Sequence, residues 1–168
     1  MFNHIFNEDD MIKLQTLLRA NNQTITTAES CTGGLVASMI TKISGSSDIF
    51  NGSIVTYSNK IKNQELKVKN ETLENFGAVS CEVVSEMLEG VISKFEADYA
   101  IAISGIAGPT GDTKNKPVGT VVIGISDSKY HKNVNIHYFK GSREEVQIQA
   151  AKHSLKEILK FLQNTLDK

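Results

Sequence analysis

The sequence predicts one α/β domain in which a sheet is covered by helices on both faces. Three observations carry that expectation. Residues 99–103 and 118–125 are nearly continuous apolar runs, the pattern of strands buried on both sides. Residues 80–95 set Val83, Val84, Met87, Leu88, Val91, Ile92 and Phe95 on one helical stripe, which needs a partner surface. The length of 168 residues is close to that of an average domain, so residues 1–168 are expected to form a single unit. A chain of this size can bury roughly 70% of its unfolded surface.

The elements follow in order. Over residues 8–21, Met11, Leu14, Leu17 and Leu18 recur at helical spacing, and Asn21 and Asn22 stop the helix. The β-branched residues 24–27 predict a strand that feeds a polar turn, Ala28 to Gly34, before Leu35, Val36, Met39, Ile40 and Ile43 resume helical spacing. Gly45 to Asp48 breaks that helix, residues 52–57 are rich in strand formers, and a short helix is expected over 60–66. Ser80 caps the helix of residues 80–95, and Glu82 adds favourable charge to its first turn. Residues 134–138 alternate as an edge strand with one wet face would. Val146, Ala150, Ala151, Leu155, Ile158, Leu159 and Leu162 define a long closing helix over 143–162.

Composition narrows the function. Hydrophobic residues make up 40% and charged residues 22%, an ordinary globular balance. Eighteen Lys and Arg against nineteen Asp and Glu leave a net charge of -1, which supplies no field for nucleic acid or anionic membrane. Lysines 60, 62, 67 and 69 are diluted by Glu65, Glu71 and Glu74 and have no interleaved aromatics, so no nucleic-acid partner is expected. Cys31 and Cys81 are too few for a disulfide framework, and His4, His131, His137 and His153 are scattered, so reduced thiols and no metal are expected. The N-terminus lacks the pattern of a signal peptide and no stretch of about 18 apolar residues occurs, which predicts a cytoplasmic protein without a membrane partner.

Polar, glycine-dense turns at strand ends are where α/β sheets place ligands, and three segments qualify. The first is Glu29-Ser30-Cys31-Thr32-Gly33-Gly34, either a ligand turn or a plain helix cap over a packing glycine pair. The second runs from Gly45-Ser46-Ser47 through Tyr57-Ser58-Asn59 to Lys62. A hydroxyl beside a desolvated lysine makes a nucleophile and base, whereas a solvated lysine there would do nothing. The third, Ser104 to Gly119, holds both prolines and four of the twelve glycines, as a functional lip or as a connector. No P-loop or dinucleotide fingerprint occurs.

Taken together the segments are specific. TTAESCTGG, GSS, VTYSN with a lysine five residues after the tyrosine, SGIAGPTGD, KPVGTV and an arginine opening the last helix resemble, in this order, the CinA C-terminal domain family. The resemblance covers the chain from the first helix onward. It implies a single-domain three-layer α/β/α sandwich with a mostly parallel, mixed sheet. Longer CinA proteins carry an additional N-terminal domain, for which this length leaves no room.

The family includes stand-alone nicotinamide mononucleotide deamidases, so the resemblance implies an amidohydrolase that needs no cofactor and forms a homo-oligomer. The alternative is a catalytically silent nucleotide-binding or protein-interaction module. The serine-lysine arrangement described for similar enzymes falls here on Ser30, Ser47, Tyr57 and Lys62. Ser30 is the first choice as nucleophile, because the N-H groups of Thr32, Gly33 and Gly34 adjoin it as an oxyanion hole, and Ser47 is its rival. Lys62 would be the base, and Tyr57 would orient the pair or relay a proton. Arg143 would hold the substrate phosphate. Ser104, Gly105, Ile106, Ala107 and Gly108 would bracket the pyridine amide or the ribose.

Overall fold

The computed structural model describes residues 1–166. Its elements are α1 (Glu8–Ala20), β1 (Ile25–Glu29), α2 (Leu35–Thr41), a 3-10 turn (Ser46–Asp48), β2 (Ile54–Val55), α3 (Asn59–Leu66), α4 (Asn70–Phe76), α5 (Cys81–Phe95), β3 (Tyr99–Gly105), β4 (Thr120–Asp127), β5 (Lys132–Tyr138) and α6 (Arg143–Leu166). The five strands form one mixed sheet in the order β2-β1-β3-β4-β5. β1 pairs in parallel with β2 and β3, and β4 runs antiparallel to both β3 and β5.

Helices cover both faces of this sheet, as the two apolar runs require. On one face Ile25, Ile101, Ile103, Ile123 and Ile125 pack under α1, α2 and α6 through Leu14, Leu18, Val36, Ile40, Leu155 and Ile158. On the other, Ala28, Ala100, Ala102 and Val122 meet Leu66 of α3 and Val84, Met87, Leu88 and Val91 of α5. The small residues on this second face let α5 lie close. Gly90 in turn lets α3 lie against α5, because a Cβ there would collide with the Leu66 carbonyl. That contact sets the position of α3 over the sheet.

Caps fix the helix starts. Asn7 and Asp10 form a reciprocal capping box on α1, Ser58 accepts from the Ile61 N-H at the start of α3, and Ser80 accepts from Val83 N-H on α5. Most expected boundaries shift by one or two residues, as β4 and β5 do, and two differ by more. The strand over 52–57 reduces to the two-residue ladder of Ile54–Val55, since the chain leaves the sheet edge to deliver α3. The closing helix runs beyond residue 162 to Leu166. α4 has no counterpart in the sequence reading, because in seven residues it buries only Leu73 and shows no period.

Candidate active site

The carboxyl ends of the three parallel strands converge beneath α3. The N-H of Ser30 donates to the Ile103 carbonyl at 2.9 Å, and Thr56 N-H donates to the Glu29 carbonyl at 2.8 Å. The parallel ladders therefore extend one residue beyond β1 and β2, with Ser30 flanked by Thr56 and Ser104. Strand alternation turns all three hydroxyl residues toward the face that carries Ala28 and Ala102, the face covered by α3 and α5.

α3 brings Lys62 onto this row. Its side chain is only 1% exposed. Nζ lies 3.1 Å from Ser30 Oγ and donates to the Thr56 carbonyl at 2.8 Å. No carboxylate pairs with it, so burial lowers its pKa from 10.5 to about 8, with the neighbouring Cys31 pulling weakly the other way. Near neutral pH a lysine of this kind holds a usable fraction of free amine, which can accept the Ser30 proton across the 3.1 Å contact. Burial drives the Cys31 thiol the opposite way, up to about 12, so the sulfur beside Ser30 stays protonated.

The turn that holds Ser30 is itself anchored. Glu29, fully buried, accepts from the Thr27 hydroxyl at 3.1 Å, the Thr32 hydroxyl at 2.8 Å, Val36 N-H at 2.9 Å and Ala37 N-H at 3.0 Å. It caps α2 from the preceding strand, where Gly34 has no side chain to do so. Gly33 and Gly34 take φ of 61° and 100°, which close the turn. Gly33 N-H is consumed inside the turn by the Ser30 carbonyl. The N-H groups of Thr32 and Gly34 donate to no backbone carbonyl. Gln147 of α6 steadies the far side by donating to the Cys31 carbonyl at 2.9 Å.

Arg143, the first residue of α6, reaches across the third loop. Nη1 donates to the Gly108 carbonyl at 2.7 Å and Nη2 to the Tyr57 hydroxyl at 2.6 Å. The structure thus groups Tyr57 with Arg143 and Gly108, whereas Tyr57 shares no hydrogen bond with Ser30 or Lys62. Ser47 lies exposed on the 3-10 turn and makes no hydrogen bond to either. In the third loop Ile106 and Ala107 are buried and Gly105 is pressed against Val121 and the Thr120 carbonyl, so the start of the segment is pinned, while residues 109–115 are exposed.

Three contributors escape the sequence reading in these roles: Glu29 as the anchor, Thr56 beside the lysine, and Gln147. Thr56 is fully buried and its Oγ1 has no hydrogen-bond partner. A carboxylate ending a strand just before a glycine pair is a usable signal for Glu29. Thr56 is visible only once the register between β1 and β2 is known. Among the described residues no helix is long and apolar enough to cross a membrane.

Residues 8–162 match the CinA C-terminal domain. The chain is 48% identical over 149 residues to the nicotinamide-nucleotide amidohydrolase PncC of Escherichia coli K12, a match covering 88% of this chain and 90% of that protein. It is 46% identical over 160 residues to a CinA-like protein of Syntrophomonas wolfei, covering 95% of this chain but only 38% of that longer protein. Among solved structures, a CinA superfamily protein from Klebsiella pneumoniae superposes with a TM-score of 0.89 at 33% identity, over 93% of this chain and 97% of the other. A competence/damage inducible protein from Agrobacterium tumefaciens gives 0.83 at 34% identity, over 92% and 96%.

Proposed function

The chain belongs to the CinA C-terminal domain family, and on that premise we propose that it hydrolyses nicotinamide mononucleotide to nicotinic acid mononucleotide and ammonia, with Ser30 as nucleophile and Lys62 as general base. The observation that carries the reading is the buried, carboxylate-free contact between Lys62 Nζ and Ser30 Oγ. The identity to the Escherichia coli amidohydrolase supports the choice of substrate.

The free amine of Lys62 takes the Ser30 proton as Oγ attacks the carboxamide carbon. The carbonyl oxygen, now negative, receives hydrogen bonds from the Thr32 and Gly34 N-H groups. The ammonium of Lys62 returns its proton to the leaving nitrogen, ammonia departs, and water delivered through the same amine cleaves the acyl-enzyme. Ser47 is less suited to the attack, since it stands in solvent away from the lysine.

Arg143 spends two N-H donors on Gly108 and Tyr57, which hold the guanidinium still and leave three of its five for a phosphate. Ser104, 1% exposed beside Ser30, borders the space that the pyridine amide would enter.

The test is ammonia release from nicotinamide mononucleotide against the unphosphorylated riboside, for the parent and Arg143→Ala. The parent should prefer the mononucleotide, and the variant should lose at least about tenfold of that preference, mostly through KM. Release from neither compound would leave the nucleotide-binding or protein-interaction module as the better reading.

A further inference from the structure

We propose that Thr56 is a positioning residue of this site, whose hydroxyl accepts a hydrogen bond from the Lys62 ammonium once that lysine has taken the Ser30 proton. The inference rests on the reading of Lys62 as the base and adds a residue to it.

A free amine at Lys62 needs few partners. With its lone pair turned to the Ser30 hydroxyl it keeps two N-H groups, of which one is satisfied by the Thr56 carbonyl at 2.8 Å and the other goes unmatched at the modest cost of a neutral donor. After proton transfer the nitrogen carries three N-H groups and no lone pair. One points back to Ser30 or to the leaving nitrogen, and one keeps the Thr56 carbonyl. The third, unmatched in the amine as well, now shares a full positive charge, and Lys62 at 1% exposure offers it little solvent in the resting fold. An unmatched ammonium N-H there would raise the energy of the state that follows the attack.

Thr56 supplies what is missing. It occupies the position next to Ser30 in the neighbouring parallel strand, fixed by its N-H bond to the Glu29 carbonyl, and so faces the same side of the sheet. Its Oγ1 is buried without a partner in the resting fold. The same residue already binds Nζ through its carbonyl, so hydroxyl and amine are held within one residue's reach. A buried hydroxyl left unpaired is a cost to the folded state. Here it is an acceptor within reach of the Lys62 ammonium, the form that prevails below a pKa of about 8 and that is regenerated when the amine takes the Ser30 proton. The ionisable neighbour of Lys62 is Cys31, with Glu29 and Arg143 grouped around that thiol, and none of these changes when Thr56 is replaced.

Thr56→Val keeps the carbonyl and the shape and removes only the hydroxyl. The plateau of kcat at high pH should fall at least about tenfold with KM within about twofold, and Thr56→Ser should restore it. Losing an acceptor for the charged form should also move the titration midpoint of Lys62, followed by NMR of its Cε in the free protein, down by roughly half a unit or more. The variant should unfold no earlier than the parent and about 2–4 °C later, because an unpaired buried hydroxyl has been removed. A purely structural role would lower the melting temperature and leave the Lys62 midpoint in place. An unchanged midpoint in Thr56→Val overturns the proposal, as does an unchanged plateau. If the parent releases no ammonia, the deamidase reading fails, and the Lys62 midpoint alone decides the role of Thr56.

Discussion

The parallel and antiparallel halves of the sheet share one core and treat polar groups differently. At the carboxyl ends of β1 and β3 and just past β2, Glu29, Ser30, Thr56, Lys62 and Ser104 are all buried and close together. In the other half β4 is buried from Thr120 to Ser126, while β5 turns Asn133, Asn135 and Tyr138 to solvent. Its lysine, Lys132, bonds Ser85 at 2.9 Å and pairs with Glu89 on the surface of α5. The two lysines show what burial does. Lys132 has a carboxylate partner and keeps 20% of its side chain exposed, whereas Lys62 has no carboxylate and is 1% exposed. Burial pushes Lys62 toward the free amine that chemistry needs.

Breaking the anchor of the parallel half should produce the larger disturbance. Glu29→Gln puts an NH2 where one carboxylate oxygen accepted, so either Val36 or Ala37 N-H faces a donor and one threonine hydroxyl must reorient. A loss of about 2–3 kcal/mol is expected, roughly 5–10 °C in melting temperature, together with a fall in turnover as the Ser30 turn loosens. Thermal unfolding and kcat of the same preparation check both. Lys132→Ala removes an exposed pair on the antiparallel side and should cost under about 1 kcal/mol with ammonia release unchanged. Equal effects from the two variants would erase the distinction between the halves.

The sequence displayed the layers better than the connections. Continuous apolar strands and the stripe of α5 are periodic over many residues, so their burial could be read directly. β2 has only two ladder residues and α4 one buried side chain, too little pattern for a period to register. At the site, Ser30 and Ser104 stood in glycine-rich turns, while Lys62 and Arg143 were singled out by the order of segments that resembles the family. Their grouping in space was not visible. Tyr57 stands close to Lys62 in sequence, yet its hydroxyl belongs to Arg143, 86 residues away along the chain. Ser47 shares its segment with that tyrosine and ends in solvent. Thr56 carries no local signal, because its importance comes from lateral strand pairing, which a linear pattern does not encode.

The central claim is that Lys62 acts as a free amine on Ser30, and the pH dependence of ammonia release from nicotinamide mononucleotide tests it most directly. The free-amine fraction grows as pH rises through the lowered pKa of about 8, so kcat/KM should climb close to tenfold per pH unit on the acid side and level off above that value. Lys62→Arg, which keeps the charge but cannot release a proton, should lose at least about 100-fold and show no such limb. A rate that is flat from pH 6 to about 9, or substantial turnover by Lys62→Arg, would contradict the claim and reduce Lys62 to a fixed positive charge beside the serine.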